Sequence, residues 1–275
     1  MSITTAALYG WAVLAALMAA LWVVQRARKV AGIVDVAWAF GTGLLAVWFA
    51  FDAALADGSA GHGEDNSARA VLVAVLAGAW AARLGLHLAA RLRREGEDGR
   101  YRYLRDALGA RLQPFMFAFF QVQALWGVLF ALPMWAAAQA PRSGLDWLDL
   151  LGVAIWAAAI GGELTADRQL ERFRADPRNR GRVCREGLWR YSRHPNYFFE
   201  WLHWFSYVAI GYGSPWWWLT LAGAAIMYVF LTRITGIPYT ESQALRSRGD
   251  AYRRYQRTTN AFFPGKPSRL EEQIS

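Results

Sequence analysis

The sequence predicts an all-α, polytopic membrane protein with seven transmembrane helices, its N-terminus outside and its C-terminus in the cytoplasm. Three observations predict it. Hydrophobic residues make up 55% of the chain and charged residues only 19%. The apolar residues gather in runs that approach or exceed the ~20 needed to cross a bilayer. Lys and Arg then alternate between abundant and scarce in the segments between those runs.

In chain order the spans are Ala6–Val24, Ala31–Phe51, Ala68–Ala90, Phe115–Ala138, Leu148–Leu164, Tyr197–Tyr212 and Pro215–Ile234. The first has no charged stretch before it and no small-residue cleavage site after it, so it reads as a retained helix. The second opens on Gly32-Ile-Val-Asp-Val-Ala-Trp38, which sets Asp35 a few residues inside the run. The third carries Arg83 and His87 four apart, on one face. The fifth continues past its apolar part through good helix formers to Arg174, so it extends into the cytoplasm. Pro195 suits the first position of the sixth, because its missing N–H would be orphaned there anyway. Gly236 and Pro238 force the exit from the seventh. Beyond it, Tyr239–Pro264 reads as helix too basic to enter lipid, with Phe262 and Phe263 able to tuck it against the bilayer face.

Counting Lys and Arg orients the spans. Gln25–Val30 holds three, Arg91–Gln113 seven, Thr165–His194 nine, and Arg233 to the end eight. The alternate loops Asp52–Ser67, Ala140–Trp147 and Gly211–Ser214 hold one between them. The cation-rich side is the cytoplasmic one. The same placement accounts for the net charge of +9 without nucleic acid as a partner. One cysteine, Cys184, excludes an internal disulfide and any multi-cysteine metal site, and no metal is expected. No Gly-x-Gly-x-x-Gly follows a strand and no Walker loop occurs, so a nucleotide would be held in a non-Rossmann way.

The most concentrated chemistry lies in Arg185-Glu-Gly-Leu-Trp-Arg-Tyr-Ser-Arg-His-Pro-Asn-Tyr-Phe-Phe-Glu200. Asn196 and Glu200 share a helix face, with Arg193 and His194 just outside the helix end. Polar groups at the mouth of an apolar helix suit a ligand with anionic and hydrogen-bonding parts; snorkelling arginines at a membrane border would look the same. Glu163, Asp167 and Arg174 fall on one stripe of the extended fifth helix. That stripe fits either a solvated face or the wall of a polar pocket, with carboxylates for ribose or amide donors and an arginine for phosphate. Arg233, Tyr239 and Glu241 surround the broken exit of the seventh span and suggest a cofactor rim. Asp35 is an intramembrane carboxylate, a functional-site hypothesis by default, and His87 is the weaker neighbouring candidate.

These motifs resemble the steroid 5-alpha-reductase family, in its C-terminal 3-oxo-5-alpha-steroid 4-dehydrogenase domain. The resemblance rests on Asp167 with Arg174, Gly187-Leu-Trp-Arg-Tyr-Ser192, Pro195-Asn196-Tyr197 with Glu200, and Tyr252-Arg-Arg-Tyr255 before Phe263-Pro264. It covers residues 163–265; the first 160 match only in having spans. It implies an NADPH site on the cytoplasmic side formed by Asp167, Arg174, Arg182 and Asn196, with Glu163 and Arg233 beside them. It also implies one integral membrane domain over 1–275, in which 1–140 serves the substrate and 148–265 the cofactor. Arg193-His-Pro-Asn-Tyr197 and the Tyr-x-x-Tyr tail also resemble isoprenylcysteine carboxyl methyltransferases, which bind S-adenosylmethionine. The family's glutamate and tyrosine for the substrate's keto oxygen have no match here: Asp35 is the only carboxylate comparably placed, and His87 stands on the third span where tyrosine is absent.

Two activities therefore stand open. One is an oxidoreductase that uses NADPH to reduce a C=C bond conjugated to a carbonyl in a lipid-like substrate, with Asp35 or His87 as the acid. The other is an S-adenosylmethionine-dependent membrane methyltransferase. The expected setting is a bacterial inner membrane, with the protein a monomer among membrane lipids.

Overall fold

The computed structural model describes residues 2–59, 67–95, 101 and 107–268. Among them every regular element is a helix. We number these α1 (Ile3–Arg28), α2 (Ile33–Ser59), α3 (Ser67–Glu95), α4 (Leu112–Ala138), α5 (Trp147–Ala175), α6 (Pro195–Ile210), α7 (Trp217–Val229), α8 (Ile237–Arg248) and α9 (Asp250–Thr258). Among the described residues, six segments are long and apolar enough to cross a membrane: α1, Ile33–Ala53 of α2, α3, Gly109–Ala138, α5 and Trp217–Arg248. The protein is thus a polytopic membrane protein. The sixth expected span corresponds to α6, whose 16 residues extend only about 24 Å at ~1.5 Å per residue, short of a ~30 Å hydrocarbon core.

Two compact units divide the chain, Met1–Asp149 with Ile210–Thr220, and Leu150–Ala209 with Leu221–Ser275. In the first unit, α1 starts where the Ser2 hydroxyl accepts from the Thr5 N–H at 3.2 Å. It stops at Lys29 in the left-handed region, with Arg26 and Arg28 in the last turn where cations favour the helix dipole. Leu8, Tyr9 and Val13 on α1 are exposed, as expected for a face that meets lipid rather than water. Helices α2 and α3 come together at small residues: a Cβ on Gly43 would sit 2.1 Å from that of Ala81. Without a hydrophobic drive between helices in lipid, such close backbone approach supplies the packing.

The α4–α5 end of this unit is tied by a buried ion pair. Arg69 is fully buried, and all five of its N–H donors are used. Nε and Nη2 grip the Asp149 carboxylate at 2.9 and 2.8 Å, while Nη1 and Nη2 donate to the carbonyls of Ala140, Arg142 and Gly144. Arg142 then reaches the Ile210 carbonyl at 2.8 Å. A buried guanidinium is tolerable only when it is satisfied to this degree.

In the second unit, α5 carries Glu163 and Asp167 toward the connection that leads into α6. Gly187 opens the short 3-10 turn Gly187–Arg190 within that connection, with φ of +57°, and a Cβ there would lie 2.5 Å from the Gln169 amide. Only glycine suits both demands. The Gln169 Oε1 accepts from the Leu188 N–H at 2.8 Å, and the Trp189 indole donates to the Ala166 carbonyl at 2.9 Å. Tyr255 of α9 donates its hydroxyl to the carbonyls of Trp189 and Ser192. Much of the Gly-Leu-Trp and Tyr-x-x-Tyr pattern is therefore bracing for one loop.

Candidate functional site

Helix α6 begins at Pro195, and its first turn holds the polar groups together. The Asn196 Nδ2 donates to Asp167 Oδ1 at 3.2 Å, while the Asn196 Oδ1 accepts from the Tyr197 N–H at 3.0 Å. Asp167 and Asn196 are half-buried; Glu163, one turn back along α5, and Glu200, one turn on along α6, are buried. The site thus grades from buried carboxylates to exposed arginines, since Arg174 and Arg182 are exposed. The Arg182 carbonyl accepts from Arg248 Nε at 2.9 Å, which anchors its backbone to α8.

The exit from α7 is a π turn, Phe230–Ile234, closed by the Thr235 N–H donating to the Phe230 carbonyl at 2.9 Å. Such turns recur at functional sites. Arg233 is exposed on it. At Gly236 a Cβ would stand 2.6 Å from the Leu231 carbonyl oxygen and 3.1 Å from the Tyr197 ring. Tyr239 follows, its hydroxyl accepting from Gln243 Nε2 at 2.8 Å. The exit is also linked to α6 through the Tyr197 and Thr240 hydroxyls, 3.2 Å apart.

Glu241 is the hub beneath this rim. It accepts from Arg193 Nε at 2.6 Å and from Gln256 Nε2 at 2.9 Å. His194 Nε2 lies 3.4 Å away and the Tyr252 hydroxyl 3.5 Å away. Burial by itself would raise this carboxyl, but the hydrogen bonds from His194, Arg193 and Gln256 and the Arg193 charge outweigh it and hold it at about 2. Burial pushes His194 below its ordinary value, against the pull of Glu241, so the ring that stacks on Tyr197 is neutral near pH 7. Burial likewise raises the Tyr252 and Tyr255 phenols and the Cys184 thiol, leaving all three protonated.

In the first unit the two expected acid candidates differ in their surroundings. Asp35, in the first turn of α2, accepts from the Tyr101 hydroxyl at 3.2 and 3.3 Å to its two oxygens. Tyr101 is buried, its ring 6.2 Å from that of Phe119. His87 and Arg83 are half-buried, one turn apart on α3. Tyr101 lies in the stretch read as the Arg91–Gln113 loop, where no spacing singled it out. His203 and Tyr207 were also not among the expected residues. Their signal was legible, for they continue the Asn196–Glu200 spacing by three and then four more residues.

A family model described as "Protein of unknown function (DUF1295)" matches residues 21–259. No curated protein and no solved structure matches the chain.

Proposed function

The chain belongs to the DUF1295 family, and we propose that it is a membrane-embedded, NADPH-dependent reductase of a C=C bond conjugated to a carbonyl in a lipid-like substrate. The observation that carries this reading is the Asp167–Asn196 hydrogen bond at the head of α6. It joins the two halves of the pattern that resembles the steroid 5-alpha-reductases. A carboxylate and an amide at a helix N-terminus fit the ribose hydroxyls of a dinucleotide, and the terminus itself favours an anion. Arg174, Arg182 and Arg233 are the groups for its three phosphates, with Glu163, Glu200, Tyr239 and Glu241 shaping the walls and rim. When bound, the reduced nicotinamide supplies the hydride.

The protein's own residues do the rest. Negative charge develops on the substrate carbonyl oxygen as the C=C bond is reduced, and a preplaced donor stabilises it. We assign that donor to Asp35 acting as the acid, one oxygen accepting from the Tyr101 hydroxyl and the other giving its O–H to the substrate, with His87 the alternative. Seven spans, counting α6, with the N-terminus outside and the cofactor groups facing the cytoplasm of a bacterial inner membrane, complete the reading. The substrate enters from the bilayer, and one chain suffices.

The deciding experiment measures the melting temperature of purified protein with NADPH, NADH or S-adenosylmethionine. A ligand at 100 times its Kd stabilises by about 2.7 kcal/mol, so a true cofactor raises the melting point. A rise with NADPH alone supports the reductase. A rise with S-adenosylmethionine and none with NADPH replaces it by the methyltransferase.

A further inference from the structure

Asn196, Glu200, His203 and Tyr207 stand at positions i, i+4, i+7 and i+11 of α6, one stripe of the helix. Glu200, His203 and Tyr207 are 7%, 0% and 0% exposed. At ~1.5 Å per residue the stripe runs about 16 Å from the cofactor groups into the apolar part of the helix. Ionisable and polar groups at such a depth are costly and mark functional paths.

Most of the stripe is tied down locally. His203 Nδ1 donates to the Glu200 carbonyl oxygen at 2.6 Å. A carbonyl can only accept, so this nitrogen holds the hydrogen and the neutral ring keeps its lone pair on Nε2. Glu200 Oε1 stands 3.7 Å from the same Nδ1, and Ser206 donates to the His203 carbonyl at 2.6 Å. Tyr207 differs. Its hydroxyl is wholly buried and makes no hydrogen bond, while its ring meets His203 edge-on at 5.9 Å. A buried hydroxyl without a partner costs about 1–3 kcal/mol, and phenylalanine would fill the same space without that cost.

We propose that Tyr207 is the acid that protonates the carbon α to the substrate carbonyl, and that His203, its cation steadied by Glu200, returns a proton to it. This rests on the reductase reading and assigns a step that reading leaves open. Hydride arriving at the β carbon forms a new C–H bond there, and the C=C electron pair moves to give an enolate. The Tyr207 O–H bond then breaks, and its proton forms the C–H bond at the α carbon. The phenolate left behind is reprotonated by His203, whose Nε2 lone pair takes a proton from solvent and hands it on while Nδ1 keeps its own hydrogen. One hydride and one proton are consumed, the nicotinamide is oxidised, and the enone becomes a saturated ketone.

The test uses full-length protein in nanodiscs, NADPH, and a cyclohexenone carrying a dodecyl chain on its β carbon, in D2O. Wild type should oxidise NADPH and place deuterium on one face of the α carbon. Tyr207→Phe without ligand should melt at the wild-type temperature or above, and NADPH should raise that temperature as it does in wild type. Its turnover should fall by about 10²–10⁴, and the residual product should carry deuterium on both faces. Turnover within about threefold of wild type with a single deuterated face would overturn the assignment, as would loss of the NADPH shift, which would make Tyr207 a binding group. His203→Gln guards against a folding artefact: it should slow turnover while leaving deuterium on one face, and unchanged turnover would remove the relay. A wild type that NADPH does not stabilise, or that oxidises no NADPH with this enone, overturns the reductase reading itself and this step with it.

Discussion

Asp167 accepts a hydrogen bond from the Asn196 amide at 3.2 Å, and through that contact α5 is fastened to the first turn of α6. The two residues are 29 apart in sequence, separated by the whole Arg-rich connection. The head of α6 is therefore set by α5 as much as by its own sequence.

Replacing Asn196 by Ala removes both this bond and the one to the Tyr197 N–H. NADPH affinity should fall by about 10- to 100-fold, the ordinary worth of one or two lost hydrogen bonds to a polar ligand. Arg174→Ala should weaken NADPH more than Arg254→Ala, since both arginines are exposed but only the first is assigned to a phosphate. Titration by tryptophan quenching measures both; equal effects would point to general surface charge.

Asp35 and Tyr101 should behave as a unit. Asp35→Asn and Tyr101→Phe should each keep the NADPH-induced rise in melting temperature, while turnover per folded molecule drops by about 10²–10⁴. The double variant should be no worse than the poorer single one, because paired groups are strongly non-additive. Full activity in a stable Asp35→Asn protein would pass the role to His87.

Asp149→Asn should destabilise the first unit by about 3–5 kcal/mol, because it strands a buried guanidinium. Replacing Arg69 by Met and Asp149 by Leu together should cost less than Asp149→Asn alone. Thermal melts in one detergent decide this, and a double variant worse than the single one would contradict the ion-pair account.

The pH dependence follows from Glu241 and His194. Glu241 is depressed from 4.5 to about 2, so its contribution, up to about 3 kcal/mol, is fully present above pH ~4.5 and is lost as the pH falls toward 2. His194 is also depressed, so the unfolded chain takes up its proton first and stability declines as the pH drops below ~6.5. Melting temperature should therefore rise with pH from 4 to 7. In Glu241→Gln the acid component should vanish while the histidine component stays, which separates the two.

Topology can be read by labelling. In a Cys184→Ala background, Ser143→Cys should react with an impermeant maleimide from outside and Ser247→Cys only after permeabilisation. Both positions are exposed, and labelling of the two from one side would overturn the proposed orientation.

The long apolar runs were legible because membrane length is a physical yardstick: α1, α3, α4 and α5 lie close to where the runs put them. The Asn196–Glu200 face was legible for a similar reason, as helical spacing acts over a few residues and needs no tertiary knowledge. What was not legible was pairing over distance. Tyr101 reaches Asp35 from 66 positions away, and nothing in its flanking sequence marks it. No spacing marks Arg69 at the start of the third span, and only folding reveals the three carbonyls and the carboxylate around it. Glu241 appeared as a rim residue; the structure surrounds its oxygens with Arg193, His194, Tyr252 and Gln256, which arrive from two other segments.

The segment after α9 is bound to the loop before α6 by the Arg193 N–H donating to the Asn260 carbonyl, the Gly265 N–H donating to the Tyr191 carbonyl, and the Ser192 hydroxyl donating to the Phe262 carbonyl. Because synthesis is sequential, residues 260–265 leave the ribosome after the helices of both units have been made. The loop that leads into Asn196 can then reach its final shape only once this last stretch has arrived. The finished loop should therefore appear late in biogenesis, as an event distinct from membrane insertion. A chain stalled before residue 260 would be inserted, yet would lack the contacts that finish the loop before α6.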